Sequence, residues 1–137
     1  MDAVRTRDPR LTNELAAALA AFPGIRLAIL FGSRARGTEG AGSDVDVAVL
    51  GAGADAPEVA AALSQAVGKE IDVVPLEDPS IPLQEALVRD GVLVYEAEPG
   101  RYADWRSKTL ASLETDRPWY ARMRDAWLER VARQGLF

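Results

Sequence analysis

The chain has 137 residues, 48% of them hydrophobic, and a formal net charge of −5, with no cysteine and no histidine. That length holds one compact domain with a core and excludes two ordinary ones. The missing residue types exclude disulfides, thiolate or imidazole zinc sites, Cys or Ser-His nucleophiles and imidazole acid–base catalysis. Any chemistry must therefore come from carboxylates, hydroxyls, guanidinium groups and backbone amides.

The charge is uneven. Residues 1 to 100 carry 8 basic and 16 acidic side chains, whereas 101 to 137 carry 8 basic and 5 acidic. An acidic core is a poor platform for DNA or RNA, whose binding depends chiefly on phosphate neutralisation, so no nucleic-acid partner is expected and the basic tail is free for another one. Met1 to Arg10 is charged and leads into no apolar core. No apolar run approaches the ~20 residues of a membrane span, so no membrane partner is expected and the default location is cytoplasmic.

Leu11, Leu15, Leu19 and Phe22 recur at near-helical spacing, and Pro23-Gly24 is expected to stop that helix. A first strand is expected over Ile25 to Phe31, then a glycine-rich segment from Gly32 to Gly42 that reads as a loop or as a loop with a short helical start. Val45, Val47 and Val49 alternate with polar positions, which predicts a second strand to Leu50. After a turn from Gly51 to Ala56, Pro57 suits the first position of a helix running to Val67, with Val59, Leu63 and Val67 on one stripe and Gly68 closing it. Glu70 to Leu76 reads as a third strand, Pro82 to Asp90 as a short helix ended by a C-terminal glycine, Gly91, and Val92 to Tyr95 as the last strand. This alternation predicts an α/β domain with a sheet packed against helices, spanning residues 1–98.

Residues 99–137 read as a C-terminal extension of two polar helices: Tyr102, Trp105 and Leu113 on the first, then Trp119, Met123, Trp127 and Val131 at four-residue spacing on the second. Apolar stripes at helical spacing usually pack inward. Trp, Tyr and Arg also dominate interface hot spots, and Trp119 and Trp127 have Arg122, Arg124 and Arg130 near them, so packing on the core and docking of a partner both stand as readings of the tail.

The candidate site lies between residues 32 and 74. Asp44 and Asp46 alternate with valines at the two-residue period of a strand, so both carboxylates leave one face, ~6 to 7 Å apart at Cα, and are placed to share a divalent cation. Asp72 interrupts the apolar run Ile71 to Val74, where a buried charge would require a cation or hydrogen bonds. Oxygen-only ligands favour a hard ion such as Mg²⁺. Three other readings of the loops are weaker. Gly32 to Gly37 begins like a Walker A loop, but Thr38 and Glu39 replace its lysine and hydroxyl residue. Gly51-Ala-Gly53-Ala-Asp-Ala56 follows a strand and precedes a helix as a dinucleotide fingerprint does, but Asp55 would face the pyrophosphate and the chain has no second half to complete the crevice. A calcium loop through Asp44 and Asp46 fails because Ala48 and Leu50 stand where oxygens are needed.

Taken together, Gly32-Ser33-Arg34-Ala35-Arg36-Gly37, Ser43-Asp44-Val45-Asp46 and Ile71-Asp72-Val73-Val74 resemble the nucleotidyltransferase domain of the DNA polymerase β superfamily, and in particular its small stand-alone members, the minimal nucleotidyltransferases. The resemblance covers about residues 25 to 96. It implies a small mixed β-sheet flanked by helices, with Mg²⁺ as cofactor and ATP as substrate. It implies metal binding by Asp44, Asp46 and Asp72, with Asp72 also helping to deprotonate the attacking hydroxyl. Gly32 would let the backbone approach the triphosphate and Ser33 would donate its hydroxyl and amide to phosphate. Arg36 reads either as a phosphate clamp or as a surface arginine anchoring the loop, Ser43 as a cap on the turn that orients Asp44, and Arg34 as solvated. Such proteins are similar in being paired with all-helical HEPN-domain toxin RNases, which they neutralise by adenylylating a tyrosine. The resemblance thus implies a protein adenylyltransferase acting as an antitoxin. Its rivals are an adenylyltransferase for a small hydroxylated molecule such as an aminoglycoside, whose relatives carry a longer helical domain, and an antitoxin that only binds.

Overall fold

In the computed structural model, which describes residues 9 to 32 and 45 to 134, the leucine stripe forms helix α1 (Pro9–Leu19) with Leu11, Leu15 and Leu19 buried. Burying one leucine is worth ~1.5–3 kcal/mol, so packing holds a helix too short to persist alone. The helix ends four residues before Pro23, and the chain turns through a hydrogen bond from the Ile25 amide to the Phe22 carbonyl at 3.1 Å. Strand β1 (Leu27–Phe31) starts two residues later than its sequence suggests.

The other strands are β2 (Val45–Leu50), β3 (Ile71–Pro75) and β4 (Val92–Glu96). They form one mixed sheet in the order β3-β2-β1-β4, β1 running antiparallel to both its neighbours and β2 parallel to β3. Parallel pairing needs a crossover. Helix α2 (Ala56–Val67) supplies it, entered through a 3₁₀ turn at Gly53–Asp55 with Pro57 in its first turn. The Ser64 hydroxyl then accepts the Ile71 amide at 3.0 Å, tying the end of α2 to the start of β3.

Strand alternation divides the core into two layers. Ala28, Leu30, Val45, Val47, Val49 and Ile71 face α1 and α2, meeting Leu11, Leu15, Leu19, Val59 and Leu63. Leu27, Ile29 and Ala48 face the opposite layer, meeting Leu87 and Tyr102. That second layer is helix α3 (Ile81–Asp90), capped by the Ser80 hydroxyl accepting the Leu83 amide at 3.2 Å, and the first part of helix α4 (Arg101–Arg133).

Gly91 ends α3 as expected, and at φ −67° and ψ 144° its backbone is extended. Its role is close approach: a Cβ there would strike the Leu87 carbonyl and lie 2.8 Å from Ile29 Cγ2. The tail is one helix of 33 residues, not two, and it continues through Pro118. Tyr102 and Leu113 are buried, whereas Trp119, Met123 and Trp127 are 55%, 53% and 52% exposed. The two readings of the tail thus divide along its length. Among the described residues no helix is long and apolar enough to cross a membrane.

Candidate active site

Asp46 is the second residue of β2. It pairs with Phe31 of β1 on one side and, in parallel register, with Asp72 of β3 on the other. Adjacent strands lie ~4.8 Å apart and register partners point to the same face, so the two carboxylates stand side by side. They share the face of Ala48, which is fully buried beneath the second helical layer. The cover stops short of the acids: Asp46 is half-buried and Asp72 is exposed.

Gly32 follows β1 directly and has φ +89°, a conformation L side chains rarely adopt. A Cβ at this position would lie 2.9 Å from Asp46 Oδ2. The missing side chain therefore gives the Asp46 carboxylate its place, a closer use of this glycine than the approach to phosphate expected from sequence. Nothing but the glycine's position at a strand end signalled it.

Exposure of Asp72 corrects the expectation that its apolar flanks bury it. β3 is an edge strand whose residues at 71 and 73 pack inward; the intervening Asp72 leaves by the other face. The need to neutralise a buried charge is thus removed as an argument for a cation, and the register pairing with Asp46 takes its place. Among the described residues no three metal-binding side chains cluster. Asp44, the third expected ligand, lies outside the described residues, as do Ser33, Arg36, Ser43 and the expected loop from residue 33 onward.

The dinucleotide reading meets a structural obstacle. The Gly51 amide already donates to Glu77 Oε2 at 2.9 Å, and Asp55 and Glu58 stand at the first turn of α2. A pyrophosphate there would face three carboxylates. Elsewhere, Arg89 at the end of α3 is held above its ordinary pKa by the hydrogen bond from its Nε to Asp90 Oδ2, 2.8 Å, and by that carboxylate's charge.

A mixed sheet that presents paired carboxylates beside a strand-terminal glycine, with an oxygen-only donor set, defines a phosphoryl-transfer domain of the nucleotidyltransferase class. The profile of the family described as Polymerase beta, Nucleotidyltransferase matches residues 13–99, and the chain belongs to that family. No curated protein matches the chain. Among solved structures, it is similar to a chain of a toxin–antitoxin complex with AMP-PNP, at 26% identity and TM-score 0.69 over 85% of this chain and 98% of that one. A mutant MntA-HpeT toxin–antitoxin is similar at 26% identity and TM-score 0.64, over 81% and 93% of the two chains. The complex of a tri-AMPylated Shewanella oneidensis HEPN toxin with MNT antitoxin shares the fold at 24% identity and TM-score 0.65, over 86% and 97%.

Proposed function

We propose that this chain is a Mg²⁺-dependent nucleotidyltransferase that moves AMP from ATP to a protein hydroxyl, a tyrosine of a HEPN-domain toxin RNase, and thereby acts as an antitoxin. The observation that carries this reading is the in-register pair Asp46 and Asp72. Further support comes from the similar toxin–antitoxin complex that contains an ATP analogue. Paired carboxylates with no nitrogen or sulfur donor fit a hard divalent cation, and Asp46 and Asp72 with Asp44 are the residues that would hold it. Bound there, Mg²⁺ would neutralise triphosphate charge and polarise the attacking and leaving oxygens.

The protein groups have separate tasks. Gly32 leaves the space in which the Asp46 carboxylate is oriented. Asp72, exposed on an edge strand, is open to an acceptor as large as a protein side chain. It takes the proton as the tyrosine oxygen attacks the α-phosphorus; the new P–O bond forms as the bond to pyrophosphate breaks, and pyrophosphate leaves. Ser33 and Arg36 bind the phosphates and Ser43 orients Asp44. The exposed half of α4 docks the toxin through Trp119, Met123 and Trp127, with Arg122, Arg124 and Arg130 exposed around them.

The test is the intact mass of a co-expressed HEPN partner after incubation with ATP and Mg²⁺. One or more added AMP units, absent with Asp46→Asn, is the expected result. An unchanged partner together with efficient modification of a small alcohol would replace the acceptor class, and a neutralised partner of unchanged mass would reduce the protein to a binding antitoxin.

A further inference from the structure

A cavity of about 350 Å³ lies on the same face of the sheet as the carboxylates but at its other end, between α3 and the first half of α4. Its floor includes Leu50, four residues along β2 from Asp46, a strand distance of ~13 Å. The size is at the small end of the ~300–1,000 Å³ that small-molecule sites span. Arg101, Trp105, Lys108 and Ser112 recur along one face of α4 and line one side of it; Gln84 of α3 lies opposite.

Thr109, also in the lining, is 8% exposed, the one buried polar residue among the described residues. No hydrogen bond of its hydroxyl to another described residue is present, and a hydroxyl so buried ordinarily has a partner. Lys108 is committed to Asp104 at 3.1 Å, while Arg101 forms no ion pair among the described residues and leaves the cavity with an excess positive charge. The Trp105 ring is stacked on Tyr102, centroids 6.3 Å apart, which holds its plane. Gln84 donates its Nε2 to the Pro79 carbonyl at 2.9 Å, so that its Oε1 remains an acceptor.

We propose that this cavity is a second ligand site, distinct from the carboxylate pair, for a small molecule that joins an anionic group to a flat ring bearing N–H donors, the chemistry of a nucleoside monophosphate. Arg101 holds the anion, Trp105, one turn further along α4, contacts the ring, and at the far end of the ligand the Thr109 and Ser112 hydroxyls and Gln84 Oε1 bond the ring's edge, since Thr109 lies ~12 Å along the helix from Arg101. None of these groups has a part in the transfer reaction, and the site needs no divalent cation.

Calorimetric titration of AMP into the full chain carrying Asp46→Asn and Asp72→Asn, with chelator present, tests it. Binding is expected to persist in that background, to weaken by about tenfold or more with Arg101→Glu, and by about fivefold with the near-isosteric Thr109→Val. Circular dichroism confirms that each variant folds; Arg101 stands in the first turn of α4 and its replacement leaves the core intact. Adenosine alone and inorganic phosphate alone should each bind more weakly than AMP. The proposal is overturned if folded protein takes up no AMP at millimolar concentration, if Arg101→Glu and Thr109→Val leave affinity unchanged, if the two Asn substitutions themselves abolish binding, or if phosphate alone binds as well as AMP.

Discussion

Replacing Asp72 by Asn should raise stability and remove function together, because its carboxylate stands opposite that of Asp46 in parallel register. Like charges at directly paired strand positions cost ~0.2–1 kcal/mol, and Asp72 is exposed, so solvent screening keeps the effect within that range. At roughly 2.1 cal/mol/K of unfolding entropy per residue, a chain of this size moves about 3.5 °C in Tm per kcal/mol. In chelator at low ionic strength the variant should therefore melt roughly 1 to 3 °C above the parent. Mg²⁺ at about a hundred times its Kd stabilises a protein by roughly 2.7 kcal/mol, near 9 °C here, and the variant should lose most of that rise. The order of the two melting curves thus inverts between chelator and Mg²⁺, and AMP transfer is lost in the variant. A variant that melts several degrees below the parent in chelator would make Asp72 a structural residue. An undiminished Mg²⁺ shift with transfer at the parental rate would remove it from the site.

Gly32→Ala should cost about 1–3 kcal/mol through its positive φ and also push the Asp46 carboxylate aside; thermal melts and the Mg²⁺-induced shift should both fall, and parental values of both would refute the contact. Gly91→Ala, by contrast, is strained only by crowding against Leu87 and Ile29, so it should lower stability by about 1–3 kcal/mol while the Mg²⁺ shift survives. Trp119→Ala and Trp127→Ala, at positions over half exposed, should leave stability within about 0.5 kcal/mol but weaken partner binding by ~2 kcal/mol or more, close to thirtyfold, in an equilibrium binding assay. Chelation should abolish transfer, with Mg²⁺ or Mn²⁺ restoring it; rescue by zinc alone would contradict an oxygen-only site.

What was legible in the sequence is what local pattern determines. Leu11, Leu15 and Leu19 announce a helix, Val45, Val47 and Val49 a strand, and Asp46 is placed on a known face by its position between two valines. The pairing of Asp46 with Asp72 was not legible, because a register between residues so far apart depends on the length of α2 and the turn before β3. The exposure of Asp72 was misread for a related reason. An apolar run such as Ile71 to Val74 looks buried on both faces, yet on an edge strand one face can open to solvent while the other packs. Gly91 reads from sequence as the glycine that ends a helix, and only the neighbouring Leu87 carbonyl and Ile29 methyl reveal that crowding requires it.

Helix α4 shows how one element serves two environments. Pro118 removes an amide donor and crowds the carbonyl four residues earlier, a cost of ~3 kcal/mol in a helix interior, yet the helix continues on both sides. Before the proline the inward face is held by Tyr102, Thr109 and Leu113. Beyond it Val131 is the one buried side chain among the described residues, and Trp119, Met123 and Trp127 are left in solvent. A helical segment that exposes four large apolar side chains past a proline, Leu128 with the three of the stripe, is poorly stabilised in isolation, and burying that stripe against a partner would supply the missing packing. At helical spacing, Trp119 and Met123 continue the face of Arg101, Trp105 and Ser112 that lines the cavity. The exposed apolar stripe and the cavity therefore lie along one face of one helix, whose first half alone packs against α3 over the sheet face that carries Asp46 and Asp72.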